Sequence, residues 1–167
     1  MRTVALLLAF ALVPPQAATL DDATIVAIFD GANTADIETG RLAEKRGASK
    51  EVRAIGASLA RDHQAVRQQG RDLAKKLGVT PTPPKPDAYA EAHVKAMAVL
   101  AGKSGADFDR AFLDHEIAFH QAVIDAVTGT LLPAITNPEL KAFVEKIAPA
   151  FQAHLDMARA AKRQLGY

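Results

Sequence analysis

Three histidines occupy positions where the pattern of a helix calls for an apolar residue. His63, His120 and His154 each interrupt a series of apolar side chains spaced three or four residues apart, and they lie in three different segments of the chain. Side chains with this spacing share one face of a helix, and that face packs into the protein core. We therefore expect all three imidazoles to point at the axis of a helical bundle.

Carboxylates accompany these histidines in two of the segments. Asp36 and Glu38 flank the inward stripe of the first predicted helix, and Asp62 directly precedes His63. An imidazole or carboxylate that is buried without a partner costs about 1–3 kcal/mol. Neutral imidazoles and a carboxylate are ligands for Zn, Cu or Fe, and a neighbouring acid can orient a ligating histidine. We predict a transition-metal site from the following residues: His63, His120, His154, Asp36, Glu38 and Asp62.

Two other functions fit the same residues. The histidines would form a hydrogen-bond network in a structural or interaction protein of the cell envelope. Alternatively, a bound metal would serve an enzyme, which needs an open coordination position and a path for substrate. Helical bundles that hold two iron ions carry Glu three residues before a ligating His. Here those positions hold Ala60, Ile117 and Phe151, which argues against a di-iron centre.

Other polar residues near these positions are predicted to lie outside the ligand set. His115 lies about 140° around its helix from His120, so we place it behind the ligands, at the edge of the site or among packing residues. His93, with Met97 one turn later, resembles a copper-binding pair, but we interpret it as a surface residue. Asp114 and Glu116 are predicted to be solvated.

The periodicity predicts four long helices and one short helix. Caps and breaks support this division, because Ser49 and Asn137 are good N-caps and Gly47 and Gly78 are good stops. The predicted helices cover approximately residues 21–45, 49–77, 87–101, 107–127 and 137–165.

The connections predict how these helices are joined. Short turns join the first pair and the last pair of long helices, whereas the segment 79–86, VTPTPPKP, carries four prolines that forbid a helix. The middle connection must therefore be long, and it carries the short helix. We predict an all-α fold, a ferritin-like four-helix bundle with a long crossover connection carrying a short extra helix.

The first eighteen residues have the three-part organisation of a secretory signal peptide. Arg2 precedes an apolar run over residues 4–13, and Pro14-Pro15 and small residues follow. The run is about half the length that a membrane span needs. We expect cleavage near Ala18, a single domain over residues 19–167, no membrane span after cleavage, and a periplasmic or secreted protein.

Charge and composition exclude several functional classes. The chain has 20 basic and 19 acidic residues, and the segment 1–18 holds one base and no acid, so the remainder has no formal net charge. A nucleic-acid-binding protein would need a basic face. The chain has no cysteine, which removes disulfides, thiolate metal sites and thiol nucleophiles. The expected partners are a metal ion or a small molecule.

Four blocks of sequence resemble a known bacterial family, domain of unknown function 4142. The resemblance covers about residues 22–165, and it implies an exported ferritin-like bundle without an established activity. It also implies an acid pair at Asp36 and Glu38, the Asp62-His63 pair, and single histidines at His120 and His154. The blocks are GANTADIETGRLAEKR, VRAIGASLARDHQAV, FDRAFLDHEIAFHQAV and APAFQAHLDMARA.

Overall fold

The computed structural model describes residues 20–167, and within them the chain is helical without any strand. This confirms the predicted all-α class. The helices are α1 (Asp22–Arg46), α2 (Lys50–Leu77), α3 (Ala88–Ala101), α4 (Gly105–Ala126), the single turn α5 (Leu132–Ala134) and α6 (Pro138–Gln164).

Local chemistry explains where the long helices begin and end. The side chain of Asp21 accepts a hydrogen bond from the Thr24 amide at 2.7 Å, and that of Ser49 accepts one from the Val52 amide at 3.1 Å. Asn137 caps α6 in the same way. Gly78 adopts φ 67°, a left-handed conformation that glycine reaches without strain, and it ends α2.

The long helices form two antiparallel hairpins, α1–α2 and α4–α6. The start of α1, the end of α2, the end of α4 and the start of α6 contribute to one apolar cluster. The opposite ends of the same helices contribute to a second cluster. Because α2 ends at the first cluster and α4 begins at the second, the connection between them must run the length of the bundle. This is the predicted ferritin-like connectivity, with α3 in the crossover.

Buried polar residues separate the two apolar clusters. This polar belt crosses α1, α2 and α4 halfway along the bundle, and the half-buried His154 of α6 lies at the same level. The long helices therefore bury apolar side chains toward both ends and polar ones in the middle. The buried members of the belt are Asn33, Asp36, Thr39, His63, Glu116 and His120.

Two glycines bring α1 and α2 into backbone contact beside this belt. A Cβ atom on Gly40 would lie 2.7 Å from the carbonyl oxygen of Gly56 and 3.0 Å from the amide nitrogen of Ala60. Any side chain at either glycine would force the helices apart. The close approach holds the first hairpin together one turn from Asp36 and two turns from His63.

The crossover lies against the outside of α1. The Thr82 amide of its proline-rich segment donates a 3.1 Å hydrogen bond to the Ala23 carbonyl, and α3 then packs against α1 and α4. After α4 the chain makes a π-helical turn, Val127–Leu131, at the start of the connection that we predict as a short turn. The wider turn carries the buried Leu131 into the first apolar cluster.

Within residues 20–167, no helix combines the length and apolar character needed to cross a bilayer. The predicted signal segment, residues 1–18, lies outside the described residues.

Candidate metal centre

The bundle brings the three predicted histidines into one cluster. The ring centroids lie 5.7 Å apart for His63 and His120, 5.0 Å for His63 and His154, and 5.3 Å for His120 and His154. His63 and His120 are buried, and the side chain of His154 is 11% exposed. Three helices, α2, α4 and α6, therefore contribute one imidazole each to a single point in the core.

The outer nitrogen of His63 must carry a hydrogen. The Asn33 amide nitrogen donates to the Phe29 carbonyl at 2.7 Å, which fixes the Asn33 side chain so that its oxygen lies 2.9 Å from His63 Nδ1. An oxygen can only accept here, so Nδ1 is the donor. In the neutral ring, Nε2 therefore keeps a lone pair directed at the cluster.

The same arrangement recurs at the other two histidines. His120 Nδ1 donates to the Glu116 carbonyl oxygen at 3.0 Å, which leaves its Nε2 unprotonated. His154 Nε2 lies 3.4 Å from Asp62 Oδ2, so its Nδ1 is the free nitrogen. Such outer acceptors set the tautomer of metal-binding histidines. All three inner nitrogens can therefore act as ligands at once.

Asp36 places a carboxylate oxygen beside two of these histidines, and with Glu116 and His120 it forms a second group of three possible ligands. Its Oδ2 lies 2.9 Å from His63 Nε2 and 3.4 Å from His120 Nε2. His63 Nε2 in turn lies 3.2 Å from His154 Nδ1. Yet Asp36 Oδ2 and His120 Nε2 are fully buried and make no hydrogen bond of acceptable geometry with any described residue. Facing lone pairs repel unless a cation or a proton lies between them, so the donor set fits a metal ion.

Glu116 lies at the same centre, although we had predicted that it is solvated. It is 0% exposed, and neither carboxyl oxygen has a hydrogen-bond partner among the described residues. Its Oε2 is 3.5 Å from His120 Nδ1, and ligand atoms of Asp36, Glu116 and His120 lie within 4.8 Å of one another. The prediction is wrong because Glu116 is one turn from both Phe112 and His120, on the buried face of α4.

Burial shifts the protonation of every group in the cluster. It lowers the pKa of His63 to about 4, against the opposing charge of Glu116, and that of His120 to about 3. The pKa of His154 is lowered by the same cause. Burial raises the pKa of Asp36 to about 7, and burial and the neighbouring Asp36 raise that of Glu116 well above its usual range. Without a cation, the site therefore favours neutral imidazoles and neutral carboxyl groups.

The remaining predicted ligands lie at different places. Asp62 is at the edge of the cluster, with 38% of its side chain exposed, and contacts His154 only through the outer nitrogen. Although partial burial raises its pKa, Arg61 and His154 outweigh that effect and lower it. Glu38 is not brought to the three histidines. It points outward and lies 2.7 Å from His93 Nε2 on α3, a contact that the sequence did not predict.

Asn33 and Glu116 are the site residues that the sequence reasoning missed. The sequence does contain a signal for both. Asn33 lies one helical turn after Phe29 and Glu116 one turn after Phe112, so each lies on the same helix face as a buried apolar residue. Asp114, by contrast, is exposed as predicted and pairs with Lys162. His115 is half-buried beside Phe119, outside the cluster, and burial lowers its pKa.

Two comparisons with known proteins returned matches, one to a family and one to a solved structure. The sequence profile of a family described as Domain of unknown function (DUF4142) matches residues 9–161. A solved structure, CopM in the Cu(II)-bound form, superimposes with a TM-score of 0.65 at 16% sequence identity. The alignment covers 87% of this chain and 98% of that one. At this identity the likeness concerns the fold alone. A search of curated protein sequences returned no significant match.

Proposed function

The chain belongs to the DUF4142 family, and we propose that it is an exported helical-bundle protein that binds one transition-metal ion in its core. The ligands would be the inner nitrogens of His63, His120 and His154 and a carboxylate oxygen of Asp36. Asp62 and Asn33 would hold two of the imidazoles in place. Glu38, which pairs with His93, has no place among these ligands.

One observation carries the proposal. Each of the three imidazoles gives its outer hydrogen to a protein acceptor, so three lone pairs face one another, and the orphaned Asp36 oxygen lies beside those of His63 and His120. Protons on the imidazoles are a poor way to satisfy these lone pairs, because burial lowers the pKa of His63 to about 4 and of His120 to about 3. A metal ion among the three imidazoles would satisfy their lone pairs together, with Asp36 as a fourth ligand beside His63 and His120.

The donor set favours a divalent ion, and copper before zinc. Three nitrogens and one oxygen without sulfur suit Cu(II) or Zn(II) better than Cu(I), which prefers thiolate and thioether ligands. Asp36 and Glu116 would together neutralise a buried charge of +2. At a given site Cu(II) binds more tightly than Zn(II). The likeness to a Cu(II)-bound bundle supports the same choice.

The predicted signal segment supports a place outside the cytoplasm for this site. Arg2 and the apolar run over residues 4–13 would direct export, with cleavage near Ala18 and one domain over residues 19–167. N-terminal sequencing of protein recovered from the periplasm tests this part, and a mature chain that still begins at Met1 would contradict it.

The decisive experiment measures metal content. Untagged protein should be purified from the periplasm without chelator, analysed for metals, then stripped and titrated with Cu(II) and Zn(II). The double variant His63→Ala/His120→Ala should lose binding by at least about 1,000-fold, because two of four ligands are gone. The matched control His93→Ala/His115→Ala also removes two histidines, and it should bind the metal as the parent does.

Absence of metal in the parent, together with no uptake on reconstitution, would overturn the proposal. A structural network is then the better account, since the 2.9 Å separation of Asp36 Oδ2 and His63 Nε2 also suits a protonated carboxyl donating to the ring. Equal losses of binding in the two double variants would show that metal binds through accessible histidines and not in the core.

A further inference from the structure

Orphaned polar atoms of the core are concentrated in one group of three side chains, Asp36, Glu116 and His120. This carboxylate triad is buried, and each member offers a ligand atom within 4.8 Å of those of the other two. Asp36 Oδ2, both carboxyl oxygens of Glu116 and His120 Nε2 have no hydrogen-bond partner among the described residues. In the same part of the chain, the other buried side-chain atom without a partner is His93 Nδ1.

A metal ion bound by the histidine triad, His63, His120 and His154, leaves Glu116 unsatisfied. Glu116 Oε2 lies 3.5 Å from His120 Nδ1, but that nitrogen gives its hydrogen to the Glu116 carbonyl oxygen at 3.0 Å. Glu116 Oε1 has no partner either. Because a buried acceptor without a partner is unfavourable, the position of Glu116 requires a reason of its own.

The carboxylate triad offers a different donor set from the histidine triad. Carboxylate oxygens suit Mn(II), and an imidazole nitrogen also suits Fe(II), whereas three imidazoles suit Cu(II) or Zn(II). His120 can supply Nε2, which lies 3.4 Å from Asp36 Oδ2. The two negative charges of ionised Asp36 and Glu116 would neutralise an ion of charge +2. The set therefore fits a divalent cation that prefers oxygen ligands.

We propose that the carboxylate triad is a second position for a divalent cation, of the Mn(II) or Fe(II) type. His120 belongs to both triads, and Asp36 lies beside His63 and His120 of the histidine triad. The shared ligands let the core hold one ion at a time, in one position or the other. Competition with Zn(II) rests on the function proposed above, whereas binding of Mn(II) alone does not.

Mn(II) is the probe of choice, because the six-line EPR spectrum of the free ion measures how much is unbound. Protein stripped of metal should bind one Mn(II) per chain. Glu116→Gln keeps the shape of the side chain and should weaken this binding at least about 100-fold, the upper end of the loss that an outer partner causes. Glu145→Gln makes the same exchange at an exposed position of α6 and should leave the affinity unchanged.

A second variant separates the two positions. His154→Ala removes a ligand of the histidine triad alone, so it should weaken Zn(II) binding and leave the Mn(II) affinity unchanged. In the parent, one equivalent of Zn(II) should release the bound Mn(II), because the ions share ligands and Zn(II) binds more tightly at a given site. Competition with a chelator of known affinity measures Zn(II), and EPR measures the Mn(II) released.

Failure of this proposal can be told apart from failure of the proposed function. A folded parent that binds Zn(II) or Cu(II) but not Mn(II) would overturn the second position alone. Equal Mn(II) affinity of Glu116→Gln and parent would also overturn it, as would Mn(II) that stays bound beside Zn(II) or is lost in His154→Ala. A parent that binds Mn(II) through Glu116 but takes up neither Cu(II) nor Zn(II) would support the carboxylate triad and contradict the histidine site.

Discussion

Carboxylates are buried in two places in the described part of the chain, and their hydrogen bonding differs between the two. At the α1–α2 turn, Asp109 is 0% exposed and accepts hydrogen bonds from the amides of Ala48 and Ser49, each at 2.8 Å. In the polar belt, Asp36 and Glu116 are as deeply buried, but Asp36 Oδ2 and both carboxyl oxygens of Glu116 have no partner among the described residues.

The difference separates two reasons for burying an acid. Asp109 links α4 to the first hairpin, and its bonds are complete within the protein. Asp36 faces the lone pairs of His63 Nε2 and His120 Nε2, which cannot donate to it, and Glu116 Oε2 lies 3.5 Å from His120 Nδ1, whose hydrogen goes to the Glu116 carbonyl oxygen. The contacts of Asp109 are thus completed by the fold itself, whereas the proposed metal ion would give Asp36 the partner that the described residues do not supply.

Exchanging each acid for its amide should give the largest contrast. In the metal-free protein, Asp109→Asn should lower the free energy of unfolding by about 3 kcal/mol, because one buried amide loses a charged acceptor and meets an NH₂ group. Asp36→Asn should change it by less than about 1 kcal/mol, since no complete hydrogen bond is lost, but should weaken metal binding strongly. Urea unfolding with chelator measures both, and equal losses of stability would make Asp36 a structural acid like Asp109.

The glycine contact tests the scaffold that positions Asp36. In Gly56→Ala the new methyl group would overlap with the Gly40 carbonyl oxygen, so the two helices must separate. We expect a loss of about 2 kcal/mol in stability and weaker metal binding. Gly31→Ala, where a Cβ meets no atom within 4 Å, is the matched control and should stabilise the protein by up to about 1 kcal/mol. Similar thermal midpoints for both variants would contradict the packing argument.

A substitution of Asn33 tests whether the hydrogen bonds of the outer histidine nitrogens affect metal affinity. Asn33→Leu removes the acceptor of His63 Nδ1 and frees the ring to take the other tautomer. We expect metal affinity to fall about 10- to 100-fold. Competition titration with a chelator of known affinity measures this. Asn137→Leu also exchanges an asparagine, but at the cap of α6, and should reduce stability while the intrinsic affinity of the folded protein stays unchanged.

The pH dependence of the metal-free protein should be shallow, because the belt holds groups of opposite sign. The pKa values of the three histidines are lower in the folded protein than in the unfolded chain. As the pH falls below about 6.5, the unfolded chain binds protons that the folded protein does not bind, and the folded protein loses stability. The raised pKa values of Asp36 and Glu116 act oppositely. Their contribution is complete at low pH and is lost as the pH rises, for Asp36 through about 7.

Between pH 6 and 5 the two effects nearly cancel. The unfolded chain takes up two protons at His63 and His120 and part of a third at His154, against two already held by the fold, so stability should fall by at most about 1 kcal/mol per pH unit. Glu116→Gln removes one of the opposing groups and should steepen that slope by about 1 kcal/mol per pH unit. Unfolding midpoints across this range measure both slopes, and an unchanged slope in the variant would show that Glu116 is ionised in the fold.

The architecture was predictable because it depends on repeated, redundant signals. Apolar residues at steps of three and four, caps such as Ser49 and Asn137, and the prolines of segment 79–86 all lead to the same helices and the same crossover. The inward placement of His63, His120 and His154 followed from the same periodicity. Whether they bind a metal stays a prediction.

The details of the site depend on single residues. The helix face on which such a residue lies does not determine which groups its side chain contacts. Asp36 and Glu38 are two positions apart, and both lie near the edge of the inward face of α1. Only the arrangement of neighbouring helices takes Asp36 to the histidines and Glu38 to His93. The prediction for Glu116 is wrong because acids are usually exposed, whereas the spacing of Glu116 from Phe112 and His120 puts it on the buried face of α4.

The polar belt is divided between the two hairpins, and this has a consequence for how the chain folds. Asn33, Asp36 and His63 belong to α1–α2, whereas Glu116, His120 and His154 belong to α4–α6. The first hairpin has a short turn and close backbone contacts, so it can assemble from local interactions early in folding. An ion that needs ligands from both hairpins would bind weakly to either half-formed unit and strongly to the docked pair. Such an ion would stabilise the native state in which the two hairpins are docked. It would therefore slow unfolding and leave the initial collapse of the chain unaffected.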